Sequence, residues 1–240
     1  MMIPKVIHYC WFGGNPLPES ARQCIASWSK FMPGYEIKEW NESNFDVNSI
    51  AYTREAYRLK KYAFVSDYAR FSVLYREGGL YFDTDVELIA PLDDIVGRGP
   101  FMGCEAPQDG HDAGGSCSVA PGLGLGAPAG LELYRHIIDW YCNHHFATWD
   151  GKFTGTVVDV VSALLASQPA RELDGGLRQV GDITIYPPEY FCPKNYFTGE
   201  LHITPATRSI HHYAATWVDH RTLWQRLAKR LRFIAARLNL

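Results

Sequence analysis

The sequence predicts an α/β fold with a largely parallel sheet, and three observations carry that prediction. Short apolar runs rich in β-branched and aromatic residues alternate with stretches of helical period. Glycine pairs punctuate these units, Gly13-Gly14 after the first apolar run and Gly78-Gly79 after a helical stretch. Hydrophobic residues make up 47% of the 240, enough for one sizeable core.

The elements follow in chain order. "KVIHYCWF" reads as a buried strand closed by Gly13-Gly14. "PESARQCIASWSKF" reads as a helix with Ile25, Trp28 and Phe31 on one face. "YEIKEW" alternates as a strand does. Residues 62–77 form the next helix, with Phe64, Ala69, Phe71, Leu74 and Tyr75 as its apolar stripe and Gly78-Gly79 as its stop. "LYF" is then a strand, and "VELIAPL" a short extended run ended by Pro91. Residues 105–130 are rich in Gly, Ala and Pro and read as loops around one short strand. "LELYRHIIDWYCNHHF" and "TVVDVVSALLAS" read as helices, while "ITIYPPEYFCP" and "RSIHHYAATW" read as short strands with loops. Residues 1–218 are expected to form one α/β domain, and residues 219–240 a separate C-terminal helix.

Bulk properties narrow the function. The net charge of -3 excludes a chain that binds nucleic acid by overall charge. Seven Trp and fourteen Tyr suit sugar stacking as well as they suit cores. Six cysteines occur with no C-x-x-C pair and no zinc-finger spacing, so free thiols in a reducing cytosol are expected. "MMIPKVIHYCWFGG" is too short and too polar on its far side for a secretory leader, and no apolar run approaches the ~20 residues that span a bilayer. A cytoplasmic protein, soluble or peripheral on the inner face of the membrane, is the expectation.

The chemistry concentrates in "YAFVSDYARFSVLYREGGLYFDTDVEL". A D-x-D triplet alone carries almost no information, and two aspartates after a strand also serve as solvated turn formers. The context adds more. Asp83 and Asp85 leave the carboxyl end of a strand expected to be central, where α/β sheets place ligands. Alternate residues leaving a strand point to one side, so both carboxylates can converge on one hard divalent cation. Oxygen ligands without thiolates suit Mg²⁺ or Mn²⁺, which usually keep positions for substrate phosphates. Asp67 and Arg70 share a helix face, either as a weak surface ion pair or as a pair reaching the same pocket.

These ordered pieces, "IPKVIHYCWFGG" followed by "SDYARFSVLYREGGLYFDTDVELI", resemble the DXD-type sugar-transferase family of capsular-polysaccharide transferases and initiating mannosyltransferases. A more distant likeness is to the glucosyltransferase domain of large clostridial toxins. The resemblance is strong over residues 3–92 and loose beyond. It implies a GT-A fold, a Rossmann-like mixed and mostly parallel sheet flanked by helices. It also implies retaining transfer from a nucleotide-sugar, a UDP-sugar placed ahead of GDP-mannose, to a glycan or lipid-linked oligosaccharide. Bacterial capsule, exopolysaccharide or lipopolysaccharide assembly is the implied setting. By the same resemblance Trp11 stacks on the nucleotide base, and Phe12 and Gly13 line its pocket. Asp67 and Arg70 contact the donor sugar, Asp83 binds ribose and metal, and Asp85 ligates the metal. Arg70, Asp83 and Asp85 are the expected catalytic set, with Mn²⁺ or Mg²⁺ as cofactor. A late histidine completes the metal site in related families, and His212 fits that place best, with His211 the alternative. Trp217 closes over the diphosphate or belongs to the core. Thr154, Gly155 and Asp159 are candidates for acceptor-side contacts, with Thr156 where the family has a proline.

The glycosidase pattern of one acid and one nucleophilic carboxylate is not evident, which favours front-face transfer with the departing phosphate helping to deprotonate the acceptor. Rival readings use the same residues: a toxin-like protein glucosyltransferase, a nucleotide-sugar hydrolase with water as acceptor, or a non-catalytic carbohydrate-binding module. Residues 221–240 carry Arg221, Arg226, Lys229, Arg230, Arg232 and Arg237 with no acid, and Leu223, Trp224, Leu227, Leu231, Ile234, Ala235 and Leu238 at helical spacing. That pattern suits an anionic membrane surface or a terminal helix packed on the domain.

Overall fold

The computed structural model describes residues 2–105, 118–146, 155–196 and 198–214. Strand β1 (Val6–Cys10) enters the core and is followed by helix α1 (Glu19–Phe31) and strand β2 (Glu36–Trp40). Helices α2 (Ala51–Arg58) and α3 (Tyr62–Glu77) lead to β3 (Gly79–Tyr81) and β4 (Val86–Leu88). After the short α4 (Asp93–Val96) come β5 (Phe101–Glu105), β6 (Ser118–Val119) and β7 (Leu125–Ala127). Helices α5 (Glu132–Cys142) and α6 (Val157–Ala166) precede β8 (Ala170–Glu172), β9 (Arg178–Val180) and β10 (Ile183–Tyr186). The described chain ends with α7 (Pro188–Phe191) and β11 (Ser209–His211).

The main sheet runs β2-β1-β3-β7-β5-β10-β9-β8, with β6 on β5. Parallel pairing of β1 with β2 and β3, and of β5 with β10, leaves β7 and β9 as the reversed strands of this row. The sheet is therefore mixed but mostly parallel in strand direction, as expected. Among the described strands, β4 stands apart from the main sheet and pairs with β11, with His211 opposite Val86.

Two apolar layers cover the sheet. One gathers α2, α3, α5 and α6 around Tyr52, Phe71, Tyr134 and Tyr141. The other packs α1, α4 and α7 around Trp28, Phe82, Phe101 and Phe191. In α1 it is Ala21, Cys24 and Trp28 that are buried, while Ile25 and Phe31 pack at the margin. Trp28 also donates its indole N–H to Val86 O at 2.8 Å, which ties α1 to β4. Truncating a buried tryptophan of this kind costs roughly 3–5 kcal/mol.

Helix α3 buries far more than a stripe. Asp67 and Arg70 are buried along with Val65, Tyr68, Ala69, Phe71, Val73 and Leu74. Its stop requires glycine: Gly78 and Gly79 have φ of 68° and 109°, and a Cβ on Gly79 would sit 2.7 Å from Val6 O and 3.0 Å from His8 Nε2. His8 itself is fully buried. Trp40 Nε1–H donates to its Nδ1 at 3.0 Å, so Nε2 carries the proton and donates to Gly78 O at 2.9 Å. Burial holds the imidazole below its usual range.

Several expectations change. The segment 105–130 contributes two described strands, β6 and β7, and β7 lies between β3 and β5. Its glycines match the packing, because a Cβ on Gly126 would meet Phe101 and Leu80. Cys104 is disulfide-bonded, whereas Cys10, Cys24 and Cys142 are free. An all-thiol chain is therefore corrected, and cysteine usage no longer argues for a reducing compartment. Among the described residues no helix is long and apolar enough to cross a membrane. The boundary at 218/219, the basic helix 219–240, Trp217 and Thr154 lie outside the described residues.

Candidate active site

The site forms where β3 ends beside the amino-terminal half of α3. Asp83 and Asp85 do not continue the strand. Val86 N–H donates to Asp83 O at 3.0 Å, closing a turn over residues 83–86. The two carboxylates share a neighbourhood through that turn rather than through strand alternation.

Asp83 is supported from α3 and β3. Arg70 Nη2 lies 2.9 Å from Asp67 Oδ1 and 3.3 Å from Asp83 Oδ1, so one guanidinium nitrogen bridges two carboxylates. Tyr81 donates its hydroxyl to Asp83 Oδ1 at 3.1 Å, and the guanidinium sits 4.8 Å from the Tyr81 ring centroid. Arg70 Nε donates to Ser66 O at 3.2 Å, while Nη1 is buried with no partner in the protein. The surface reading of the Asp67–Arg70 pair is thereby corrected: the two residues are 7% and 3% exposed.

The charges follow from this burial. Arg70 is held above its ordinary value, because Asp83, Tyr81 and Asp67 outweigh burial, which acts in the opposite direction. Burial pushes the Asp67 carboxyl up to about 7, against Arg70 and with help from Asp83. Cys10 lies under the same network, and burial pushes its thiol up to about 12.

Asp85 is supported from the far end of the chain. His211 Nε2 lies 3.1 Å from Asp85 Oδ1, and Ala214 N–H donates to Asp85 Oδ2 at 2.8 Å. The Asp85 carbonyl accepts from His212 N–H at 2.9 Å. Tyr213, a non-glycine residue at φ 54°, shapes the turn that delivers the Ala214 amide, and its ring lies 4.3 Å from that of His211. Burial alone would raise the Asp85 carboxyl, but the imidazole and the Ala214 amide hold it below its usual range. His211 is correspondingly raised: burial opposes the charge, and Asp85 and Asp83 outweigh it. His211, the alternative at the sequence level, is thus the histidine on Asp85. His212 turns away to Glu87 Oε2 at 2.8 Å.

The remaining candidates have partners of their own. Trp11 is half-buried and donates its indole N–H to Asn15 O at 2.6 Å. Phe12 is a core side chain, edge-on to Phe45, so only its backbone is free to line a pocket. Gly13 N–H donates to Glu42 Oε1 at 2.6 Å. Thr156 and Asp159 are engaged with each other in a capping box that starts α6, with Gly155 just before it at φ 124°. Among the described residues no three His, Cys, Asp or Glu side chains are grouped to hold one metal ion. Spacing did not mark Tyr81, Ala214 or Glu42. Tyr81 carried a readable sign, two residues before Asp83 on the same strand exit.

Residues 18–102 match the model of the glycosyltransferase sugar-binding region containing a DXD motif. Over that stretch the chain is similar to DXD-motif glycosyltransferases. It is 31% identical over 107 residues to a glycosyltransferase of Acanthamoeba polyphaga mimivirus, covering 42% of this chain and 43% of that one. It is 26% identical over 152 residues to inositol phosphoceramide mannosyltransferase 3 of Schizosaccharomyces pombe, covering 60% and 40%. With the subversion of eukaryotic traffic protein A of Legionella pneumophila subsp. pneumophila it shares 28% identity over 121 residues, covering 39% and 19%. The chain thus spans less than half the length of each of these relatives.

Proposed function

We propose that this chain transfers a sugar from a nucleotide-sugar to a hydroxyl of a glycan or lipid-linked glycan, with a divalent cation and with retention at the anomeric carbon. One observation carries the reading: within a DXD-family region, Asp83 and Asp85 leave a central strand and are each held by separate support. The donor set fits Mn²⁺ or Mg²⁺. Asp85 is held ionised by its partners, and both carboxylates keep some exposure, 32% for Asp83 and 19% for Asp85. Asp83 and Asp85 would hold the cation, with His211 on or directly behind Asp85. Bound there, it supplies Lewis-acid charge to a departing diphosphate.

The chain's own residues do the rest. Trp11 offers an aromatic face for the base, with the Phe12–Gly13 backbone beside it. Arg70 fixes Asp83 through Nη2, and its buried guanidinium adds positive charge beside the carboxylate that would face the donor. Asp67 holds the guanidinium from behind. Positioning the acceptor hydroxyl beside the anomeric carbon supplies much of the remaining rate.

The donor class is read as a UDP-sugar first, with GDP-mannose kept in view because two relatives are mannosyltransferases. A membrane-borne acceptor and a bacterial polysaccharide role go with the basic, apolar-periodic sequence 221–240, which would sit on anionic lipid. Liposome flotation of the full chain against one truncated before Arg221 tests that point, and equal binding removes it. A second reading, sugar transfer to a host protein, is favoured by the similarity to the Legionella traffic-subverting protein.

Thermal shift with UDP-glucose, UDP-galactose, UDP-N-acetylglucosamine and GDP-mannose, with and without MnCl2, tests the proposal. A ligand at a hundred times its dissociation constant stabilises the fold by roughly 2.7 kcal/mol. The expected result is a shift with one nucleotide-sugar that needs MnCl2. No shift with any donor overturns the proposal. Sugar release that ignores added acceptors moves the assignment to a hydrolase.

A further inference from the structure

We propose that Gly122 is a positioning residue for Asp83, a role that rests on the glycosyl-transfer reading of the site. Asp83 N–H donates to Gly122 O at 3.1 Å, and Leu123 N–H closes the surrounding turn on Ala120 O at 3.1 Å. This brings the Gly122 Cα against the carboxylate. A Cβ there would lie 3.0 Å from Asp83 Cγ, closer still to Oδ2, and 3.5 Å from Arg70 Nη1. Gly122 is not among the glycines with positive φ, so its backbone does not demand glycine. The space does.

Asp83 is already engaged through its other oxygen. Oδ1 already meets Arg70 Nη2 and the Tyr81 hydroxyl, and those residues are 3% and 1% exposed. A methyl group at position 122 therefore either swings the carboxylate away from Arg70 or lifts the turn and breaks the Asp83 amide bond. Both move the group that faces the donor. Gly126 is different: its Cβ would meet Phe101 and Leu80, a core contact with no route to the carboxylate. The bare backbone at Gly122 thus acts as a further wall of the Asp83 seat, next to the Arg70 guanidinium.

A double-mutant cycle tests this, using the full chain with Gly122→Ala, Asp83→Ala and both together. Binding of UDP in MnCl2 is measured by calorimetry, and thermal stability is measured without ligand. Gly122→Ala is expected to weaken UDP binding at least ten-fold, with no further loss when added to Asp83→Ala. Its destabilisation is likewise expected to shrink in the Asp83→Ala background, where the clashing carboxylate is gone. Wild-type affinity in Gly122→Ala, or an equal loss in both backgrounds, overturns the inference. If wild type binds no UDP in MnCl2, the glycosyl-transfer reading fails and the stability cycle alone judges Gly122. If Gly122→Ala does not fold, folding of the double variant supports the inference, and failure of both overturns it.

Discussion

Asp83 and Asp85 are two residues apart, yet different parts of the chain hold them. Asp83 is held mainly by residues within seventeen positions of it: Ser66 and Asp67 fix Arg70, and Arg70 and Tyr81 fix the carboxylate. Asp85 is held by His211 and Ala214, brought back through the β4–β11 pair. The first support is a buried cation and an aromatic hydroxyl, and the second an imidazole and a backbone amide. The contrast teaches that one half of the site forms with its own helix and strand, while the other waits on closure of the whole fold.

The largest expected effect breaks the Asp83 half. Arg70→Ala leaves Asp67 buried without its cation, so a loss of about 3–5 kcal/mol is expected in urea denaturation. Arg70→Lys should recover little of it, since a lysine cannot bridge both carboxylates with the same planar fork. A loss below about 1 kcal/mol would show that Arg70 is not what holds this half together.

The Asp85 half should give less in stability. His211→Ala removes one charge-assisted partner, and about 1.5–3 kcal/mol is expected. His212→Ala, on the neighbouring ring, removes an exposed pair with Glu87 and should cost no more than about 1 kcal/mol. Equal losses at the two histidines would erase the distinction drawn between them.

Acid and alkali sharpen the comparison, because two histidines shift in opposite directions. His8 is held below 6.5, so the unfolded chain takes up its proton first and stability falls as pH drops below 6.5. His211 is held above 6.5 by Asp85, so its contribution is present below 6.5 and fades as pH rises through its folded value. In thermal melts across pH, His8→Gln should flatten the acid side and His211→Gln the alkaline side. The reverse assignment would contradict the hydrogen bonding described for both.

The same division governs what the sequence made legible. The Asp83 half could be read: Asp67 and Arg70 share a helix face, a glycine stop ends the helix, and a short apolar strand delivers the aspartate. Their burial was not readable, because it depends on α2 and α5 closing over α3, and α2 has only eight residues and no side-chain cap. The choice between His211 and His212 was not readable either. Strand β11 alternates its side chains, and only its register on β4 decides which ring meets Asp85. Strand β7 hid in "GLGLGA" because glycines that read as loop are there to clear Phe82, Leu80 and Phe101.

The central claim is that Asp83 and Asp85 together present a divalent cation to a nucleoside diphosphate. Calorimetric titration of UDP and GDP into wild type and Asp85→Asn, each with and without MnCl2, tests it most directly. Binding of one nucleotide by wild type that requires manganese and disappears in Asp85→Asn is the expected result. Equal manganese-dependent binding by the variant, or binding by wild type that ignores manganese, would contradict it.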